Sequence, residues 1–225
     1  MEVRPVRNDI SLSKLAEDLD KYAQFARDNG CTHVKIIESR EVLLDYRAQL
    51  KCSVPKCTHY NTSLNCPPYA PTVEDMEKLV KLFRYALLVG YEVPSSLVTK
   101  GPNAENEVNK GFAGVSLPEV VAARKKIPDI VTQIESKAFY DGYYFATAFG
   151  AGPCKLAWCM NVDCQALTEG KPCRHPMLSR PSMEGCGIDV FGTVRNAGWE
   201  IYPIGDKCRS EDIPYGLRVG LVFIY

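Results

Sequence analysis

The stretch CSVPKCTHYNTSLNCPP at residues 52–68 places three cysteines at the spacing Cys-x4-Cys-x8-Cys. The stretch CMNVDCQALTEGKPC at residues 159–173 repeats that spacing. Around each copy, the residue pattern predicts the same order: a strand, a cysteine loop, a Pro-Thr or Pro-Ser helix start, a helix and a strand. We therefore predict an α/β fold in which two pseudo-repeated halves form a compact sandwich.

The predicted halves are separated by a change in composition. Residues 1–98 would carry the first copy of the cysteine spacing, residues 112–225 the second, and the polar stretch 99–111 would link them. A chain of 225 residues can bury a sizeable core without covalent staples. We expect the two halves to pack together as one compact unit.

Hydrophobic periodicity and turn residues predict the individual helices and strands. Predicted helices lie at 11–29, 117–140 and 182–197, and a further helix follows the capping pair Thr72 and Asp75. Pro128 would kink or split the helix at 117–140, and Ser182 would cap the helix at 182–197. Predicted strands lie at 33–37, 42–50, 86–93, 143–149, 199–204 and 217–225.

The charges of the chain balance, with 27 Lys and Arg against 27 Asp and Glu. No basic or acidic excess points to nucleic acid or to a membrane surface as a partner. The first residues contain no apolar leader, and no run approaches the roughly 20 apolar residues of a membrane-spanning helix. We expect a cytoplasmic protein.

Ten cysteines need an explanation in a reducing compartment, where disulfides are rare and metal ligation is the leading alternative. Most of them fall into two groups. Buried free thiols or disulfides are the other interpretation of these groups, whereas Cys31 and Cys208 are expected to be ordinary packed thiols. The first cysteine group is Cys52, Cys57 and Cys66, and the second cysteine group is Cys154, Cys159, Cys164 and Cys173.

Sites built from four cysteines hold either zinc or a 4Fe-4S cluster. Structural zinc sites usually use two knuckles separated by a longer loop. The second cysteine group instead lies on a single loop, with gaps of four, four and eight residues between its members, and this favours a cluster. Pro67 follows Cys66 as in ferredoxin ligand runs, and Gly150 and Gly152 would let backbone N–H groups approach the sulfides. The sequence therefore favours one or two 4Fe-4S clusters, with zinc as the alternative.

The first cysteine group has three members, so its fourth ligand is open. Cys186 could complete it, His59 could ligate, the position could be vacant and bind a small molecule, or the two halves could exchange ligands. Arg174 and His175 could neutralise an anionic cluster or pass a proton, although a solvated pair of loop residues is an equal alternative.

Several motifs resemble those of a known family. They are Lys51-Cys52 with Cys57, Asn65-Cys66-Pro67-Pro68, Gly150-Ala151-Gly152-Pro153-Cys154, Cys173-Arg174-His175-Pro176 and RPSMEGCGIDV at 180–190. Together they resemble an uncharacterised cysteine-rich family of anaerobic bacteria and archaea described as predicted metal-binding proteins. The resemblance covers the chain from about Asp45 onward, and what it implies is metal binding.

Three functional hypotheses follow. The first is an iron-sulfur protein that transfers electrons to or from an anaerobic enzyme partner. The second is an enzyme or metallocentre maturation factor, in which a cluster with one open position binds substrate or is handed on. The third is a zinc-stabilised interaction module. No Walker loop or Gly-x-Gly-x-x-Gly motif supports nucleotide use, and the sequence singles out no catalytic residue.

Overall fold

A computed structural model describes residues 3–6, 10–99, 118–205 and 207–225. Its centre is a four-stranded antiparallel sheet with the order β1-β2-β4-β3. β2 pairs with β4 from Ala86 opposite Phe223 to Pro94 opposite Tyr215, so strands from both halves of the chain form one sheet. The strands are β1 (His33–Glu38), β2 (Tyr85–Pro94), β3 (Thr147–Phe149) and β4 (Tyr215–Phe223).

Eight α-helices lie in the described part of the chain. They are α1 (Leu12–Asp28), α2 (Tyr46–Leu50), α3 (Val73–Leu82), α4 (Ser95–Val98), α5 (Pro118–Tyr140), α6 (Cys154–Trp158), α7 (Gln165–Thr168) and α8 (Val190–Asn196). The same residues contain no helix that is both long enough and apolar enough to cross a membrane.

The sheet is covered on both faces, which makes a three-layer α/β arrangement. Side chains alternate along a strand, so Leu87 and Val89 pack against α1 and α5. Ala86 and Leu88 point the other way and pack with residues of α3, α8 and the segment between 183 and 188. The predicted α/β class is therefore confirmed, and the central strand β2 is buried on both sides.

Local signals explain where the helices begin and end. The Ser11 side chain caps α1 by accepting a hydrogen bond from Lys14 N, and the predicted capping box of Thr72 and Asp75 opens α3. α5 runs through Pro128 without being split, and the Thr132 hydroxyl donates to the Pro128 carbonyl at 3.0 Å. One face of α5 buries Ile127, Ile130, Val131, Ile134 and Ala138.

Two of the predicted strands are wrong. Residues 42–50 contain an isolated bridge between Leu44 and Ile188 and then α2, because the Asp45 carboxylate caps a helix by accepting from Arg47 N at 2.8 Å. Residues 199–204 are described but contain no strand. The strand predicted at 143–149 is confined to Thr147–Phe149.

The helix predicted from Ser182 to Ala197 is also shorter than expected. Gly187 has φ +81°, a left-handed conformation that interrupts a helix, and α8 begins only after Asp189, whose side chain accepts from Gly192 N. Ser182 instead accepts a hydrogen bond from Gly185 N. The two halves therefore differ in their elements, and the structure does not confirm the pseudo-repeat.

The division into two halves stays a prediction. The predicted linker 99–111 lies, apart from Thr99, outside the described residues.

Candidate metal centre

The first two cysteines follow directly from the end of α2. Cys52 N donates to the Gln49 carbonyl and Cys57 N donates to the Cys52 carbonyl, both at 2.9 Å. This turn holds the two thiols close enough that the charge of Cys57 raises the pKa of Cys52, after burial, which is the larger cause. Both thiols remain partly exposed.

Cys66 lies deeper in the same loop. Its N–H donates to the Ser63 carbonyl at 3.1 Å, and its side chain is buried. Burial raises the pKa of Cys66 to about 11, the Ser63 hydroxyl lowers it through a hydrogen bond, and the charges of Cys154, Cys52 and Cys57 raise it further. Cys66 therefore lies among the other two thiols of its group.

Cys186 reaches the first cysteine group from a distant segment of the chain. It ends a short 3₁₀ turn, Glu184–Cys186, and is completely buried. The Gln49 side-chain amide donates to the Gly185 carbonyl at 2.9 Å, which ties this turn to α2. Burial raises the pKa of Cys186 to about 12, and the charges of Glu184, Cys52 and Cys66 add to that.

The charge of Cys57 acts on Cys52 and Cys66, and the charges of Cys52 and Cys66 act on Cys186, so the four cysteines are neighbours. We call Cys52, Cys57, Cys66 and Cys186 the first site. A crevice of about 460 Å³ reaches Cys52 and Cys57 from the surface. Lys51, Glu184 and the half-exposed Phe191 are among the residues that line it.

The second cysteine group lies around a recess of about 290 Å³ that all four of its thiols line. Its loop contains two short helices: α6 begins at Cys154, and Cys164 precedes α7. Burial raises the pKa of Cys159, and the charges of Cys154 and Cys173 contribute, so these thiols are close neighbours. We call this group the second site.

A Cys-x-His motif has the same backbone geometry at both sites. His59 N donates to Cys57 Sγ at 3.4 Å, and His175 N donates to Cys173 Sγ at 3.4 Å. Backbone N–H groups that donate to a cysteine sulfur stabilise the thiolate form that ligates a metal. The predicted role of the His175 side chain, in neutralising a cluster or passing a proton, stays a prediction.

The two sites share a wall. Ser63, Leu64 and Asn65 belong to the loop of the first site, yet they line the recess of the second. The Cys154 thiol donates to Ser63 Oγ at 3.7 Å, and the Asn65 side-chain amide donates to Ser179 Oγ at 2.6 Å. The described thiols thus form two adjoining sets rather than two independent ones.

Cationic side chains lie beside the sites. Arg124 is buried on α5 and Arg218 is half-buried on β4, and burial lowers the pKa of each, to about 10 for Arg218. Burial and the charges of Lys155 and Arg124 lower the pKa of His59, so these groups also lie near the first loop. Positive charge held in poorly solvated surroundings favours a bound anionic group.

Three other residues were predicted to bind a cofactor: Gly150, Gly152 and Arg174. Gly150 N donates to the Pro181 carbonyl at 2.8 Å, and Gly152 has φ +71° and lies beside the Arg218 guanidinium. Arg174 donates to the Asp163 carbonyl at 2.5 Å, within the loop of the second site. A role of these residues in holding a cofactor stays a prediction.

The other thiols are separate from both sites. Cys31 packs in the core against α1, and burial raises its pKa to about 11. Cys208 is partly exposed and donates to the Arg209 carbonyl. All ten cysteines are free thiols. Within the described ranges, no group of three or more His, Cys, Asp or Glu side chains is arranged so that it could hold a metal ion.

Sequence reasoning missed three residues next to the sites: Ser63, Arg124 and Arg218. Arg218 carried a signal, since it is a charged residue inside the apolar strand YGLRVGLVF. Ser63 is an ordinary polar residue in a polar loop, and nothing in the pattern distinguishes it from Ser53 or Thr62. Its position becomes apparent only when the two loops meet.

The comparison with protein families agrees with the motif resemblance. A family model described as predicted metal-binding protein (DUF2284) matches residues 35–223, which include all eight cysteines of the two sites. Comparisons with curated proteins and with solved structures found no match. Because the family model spans most of the chain, this protein belongs to the family of predicted metal-binding proteins (DUF2284).

Proposed function

We propose that this protein binds two 4Fe-4S clusters, one at each site, and carries electrons for an enzyme partner. The observation that carries the proposal is the position of Cys186. It lies beside the first cysteine group, so each site has four thiols, the ligand set of a 4Fe-4S cluster.

The chemistry of the donor sets fits such a cluster. Thiolates are soft ligands suited to iron-sulfur clusters. The N–H groups of His59 and His175 donate to ligand sulfurs, and hydrogen bonds of this kind tune cluster potentials. Arg124 donates to Met160, next to Cys159, and Arg218 donates to the Ala151 carbonyl, so both bring positive charge near a group whose thiolates and sulfides would make it anionic. When bound, a cluster would supply one-electron redox chemistry.

The residues around each site also control access. At the first site Cys66 and Cys186 are buried and a crevice reaches the partly exposed Cys52 and Cys57, whereas all four thiols of the second site are partly exposed. Partial exposure of the second site would give a protein partner a short path for electrons.

The test is metal analysis of the full chain purified without oxygen. We expect about eight iron and eight sulfide per chain, a brown colour, and an electron paramagnetic resonance (EPR) signal after reduction. Cys164→Ser should lose about half the iron, whereas the matched Cys208→Ser variant should keep all of it. Zinc without iron would contradict the proposal and favour the zinc-stabilised interaction module.

The crevice at the first site favours one second candidate, an enzyme or maturation factor. It reaches Cys52 and Cys57 from the surface, so a small molecule could approach a metal held there. Cyanide added to the reduced, iron-loaded protein distinguishes the two functions. A changed EPR signal supports an open iron position, whereas an unchanged signal supports a fully ligated carrier.

A further inference from the structure

A cavity of about 530 Å³ lies where the end of α3, the turn after α5 and the residues that follow β4 come together. Among the described residues that line it there is no cysteine, so it is separate from both metal sites. Protein cavities that bind small organic molecules have volumes of roughly 300–1,000 Å³ and mostly apolar walls. The size of this cavity therefore suits a small ligand.

The walls of the cavity are apolar, and many of them are aromatic. Leu82 and Phe145 line it although their side chains are 79% and 69% exposed, and exposed apolar side chains gathered at one place mark a binding surface. Aromatic rings pack well against the edges and faces of other rings. The aromatic side chains of the wall are Phe83, Tyr143, Tyr144, Phe145 and Tyr225.

The Tyr143 wall is fixed by the fold. Its side chain is buried, and its hydroxyl donates to Asp18 Oδ2 at 2.9 Å. The same carboxylate oxygen is held by the Arg4 guanidinium at 2.8 Å. The Tyr143 ring also packs edge-on against Tyr225, with 6.2 Å between the ring centres. A wall that is already ordered lowers the entropic cost of binding a ligand.

Arg84 is the one charged side chain among the described residues that line the cavity. Its guanidinium lies over the Tyr85 ring, 5.2 Å from the ring centre, and forms no ion pair within the described part of the chain. The main-chain oxygen of Tyr225 accepts from the backbone N–H groups of Arg84 and Tyr85 instead. A guanidinium presents paired N–H donors that match a carboxylate.

We propose that this cavity binds a small aromatic carboxylic acid. The ring system of the ligand packs among the aromatic walls, and its carboxylate pairs with Arg84. Binding is reversible and changes no covalent bond. The inference goes beyond the proposed function and needs no metal at either site.

The experiment is a calorimetric titration of the full chain with naphthalene-2-carboxylate. We expect one molecule to bind per chain with a dissociation constant of about 1 mM or below, as for a ligand of about 13 non-hydrogen atoms. The neutral naphthalene-2-methanol should bind about fivefold more weakly, because it lacks the charge that pairs with Arg84. Decanoate, an aliphatic acid of similar size, should also bind more weakly, because its flexible chain must be ordered.

Variants at two exposed positions locate the site. Arg84→Gln should weaken the binding of naphthalene-2-carboxylate about fivefold and leave that of naphthalene-2-methanol unchanged. Leu82→Glu should weaken the binding of the acid about tenfold, since it removes an apolar contact and brings a negative charge to the cavity. Arg40→Gln is the matched control, because Arg40 is also exposed but pairs with Glu38 and does not line the cavity.

Several outcomes would overturn the proposal. They are no binding of naphthalene-2-carboxylate, equal binding of the acid and the neutral alcohol, tighter binding of decanoate, and an affinity that neither variant changes. A dimer in analytical ultracentrifugation that Leu82→Glu dissociates would overturn it too, because a second copy of the chain would then cover the cavity. Iron content does not enter this test, so the inference and the proposed function fail independently.

Discussion

The first and second sites have four cysteines each, but they are assembled differently. The second site comes from one continuous loop, residues 154–173, and its thiols are all partly exposed. The first site joins residues 52–66 to Cys186, more than 100 positions further along the chain, and buries Cys66 and Cys186 in or beside the core. The first site therefore depends on the tertiary fold, whereas the second depends mainly on its own loop.

Because of this difference, metal binding at the first site should affect the stability of the fold more than metal binding at the second. Cys186 packs in the same cluster of buried side chains as Met183, Ile188 and Leu221, so what disturbs the core also disturbs the first site. A metal bound there would stabilise the fold, because the unfolded chain does not hold those thiols together. The second site can change with less effect on the core.

The largest expected effect comes from removing Cys186. We expect Cys186→Ala to lose the metal of the first site, about half of the total iron, while the second site keeps its own. Iron analysis and EPR of the oxygen-free variant check this, with Cys208→Ser as the control. Full iron in Cys186→Ala would mean that another group, such as His59, completes the first site.

The next effect is on thiol reactivity in the metal-free, reduced protein. Only the thiolate reacts, and a pKa of about 12 for Cys186 leaves a thiolate fraction at pH 8 about three orders of magnitude below that of an ordinary thiol. Mass spectrometry after brief iodoacetamide treatment should find Cys186, Cys66 and the core thiol Cys31 alkylated last, with rates that rise about tenfold per pH unit. Equal rates at both sites would contradict this.

The same shift predicts a pH dependence of stability. The folded-state pKa of Cys186 lies above the unfolded-state value, so the unfolded chain releases its proton first. The metal-free fold should then lose stability as the pH rises above about 8.5. Urea unfolding at pH 7 and pH 10 measures this, and Cys186→Ala should reduce the dependence.

A smaller effect on stability is expected from alanine substitutions at two glycines, which both have positive φ. An alanine Cβ at Gly187 would also overlap Val73 Cγ2, whereas Gly170 in the second loop has open space around it. We expect Gly187→Ala to cost about 3 kcal/mol of unfolding free energy and Gly170→Ala about 1 kcal/mol. Urea unfolding compares them, and equal losses would show that the two sites are equally coupled to the core.

The smallest effect is expected for the ion pair between Lys171 and Glu169 in the second loop. The two groups are 2.7 Å apart, but both side chains are exposed. We expect Lys171→Ala to change the unfolding free energy by no more than about 0.5 kcal/mol. A larger loss by the same measurement would mean that the second loop is more rigid than its exposure suggests.

Sequence patterns predicted the elements that carry strong local signals. The first helix, the Thr72 and Asp75 capping box and the apolar runs of β2 and β4 all lie where the pattern placed them. The failures have physical causes: Asp45 turned an apparent strand into α2, and Gly187 interrupted a predicted helix. A short apolar run does not distinguish a strand from a helix, because a single capping residue can determine which of the two forms.

The site was only partly predictable. Clustering identified the second cysteine group, since its members are neighbours in the chain. The place of Cys186 beside Cys52 and Cys66 comes from tertiary packing, and sequence spacing carries no information on it. The same holds for Ser63, which meets Cys154 only because the two loops come together in the fold.

The pairing of β2 with β4 has a consequence for biosynthesis. β4 follows both cysteine loops along the chain, so the loops leave the ribosome before the strand that completes the sheet. Cys186 of the first site packs in the same buried cluster as Leu221 of β4, so the surroundings of that site are complete only after β4 has left the ribosome and paired with β2.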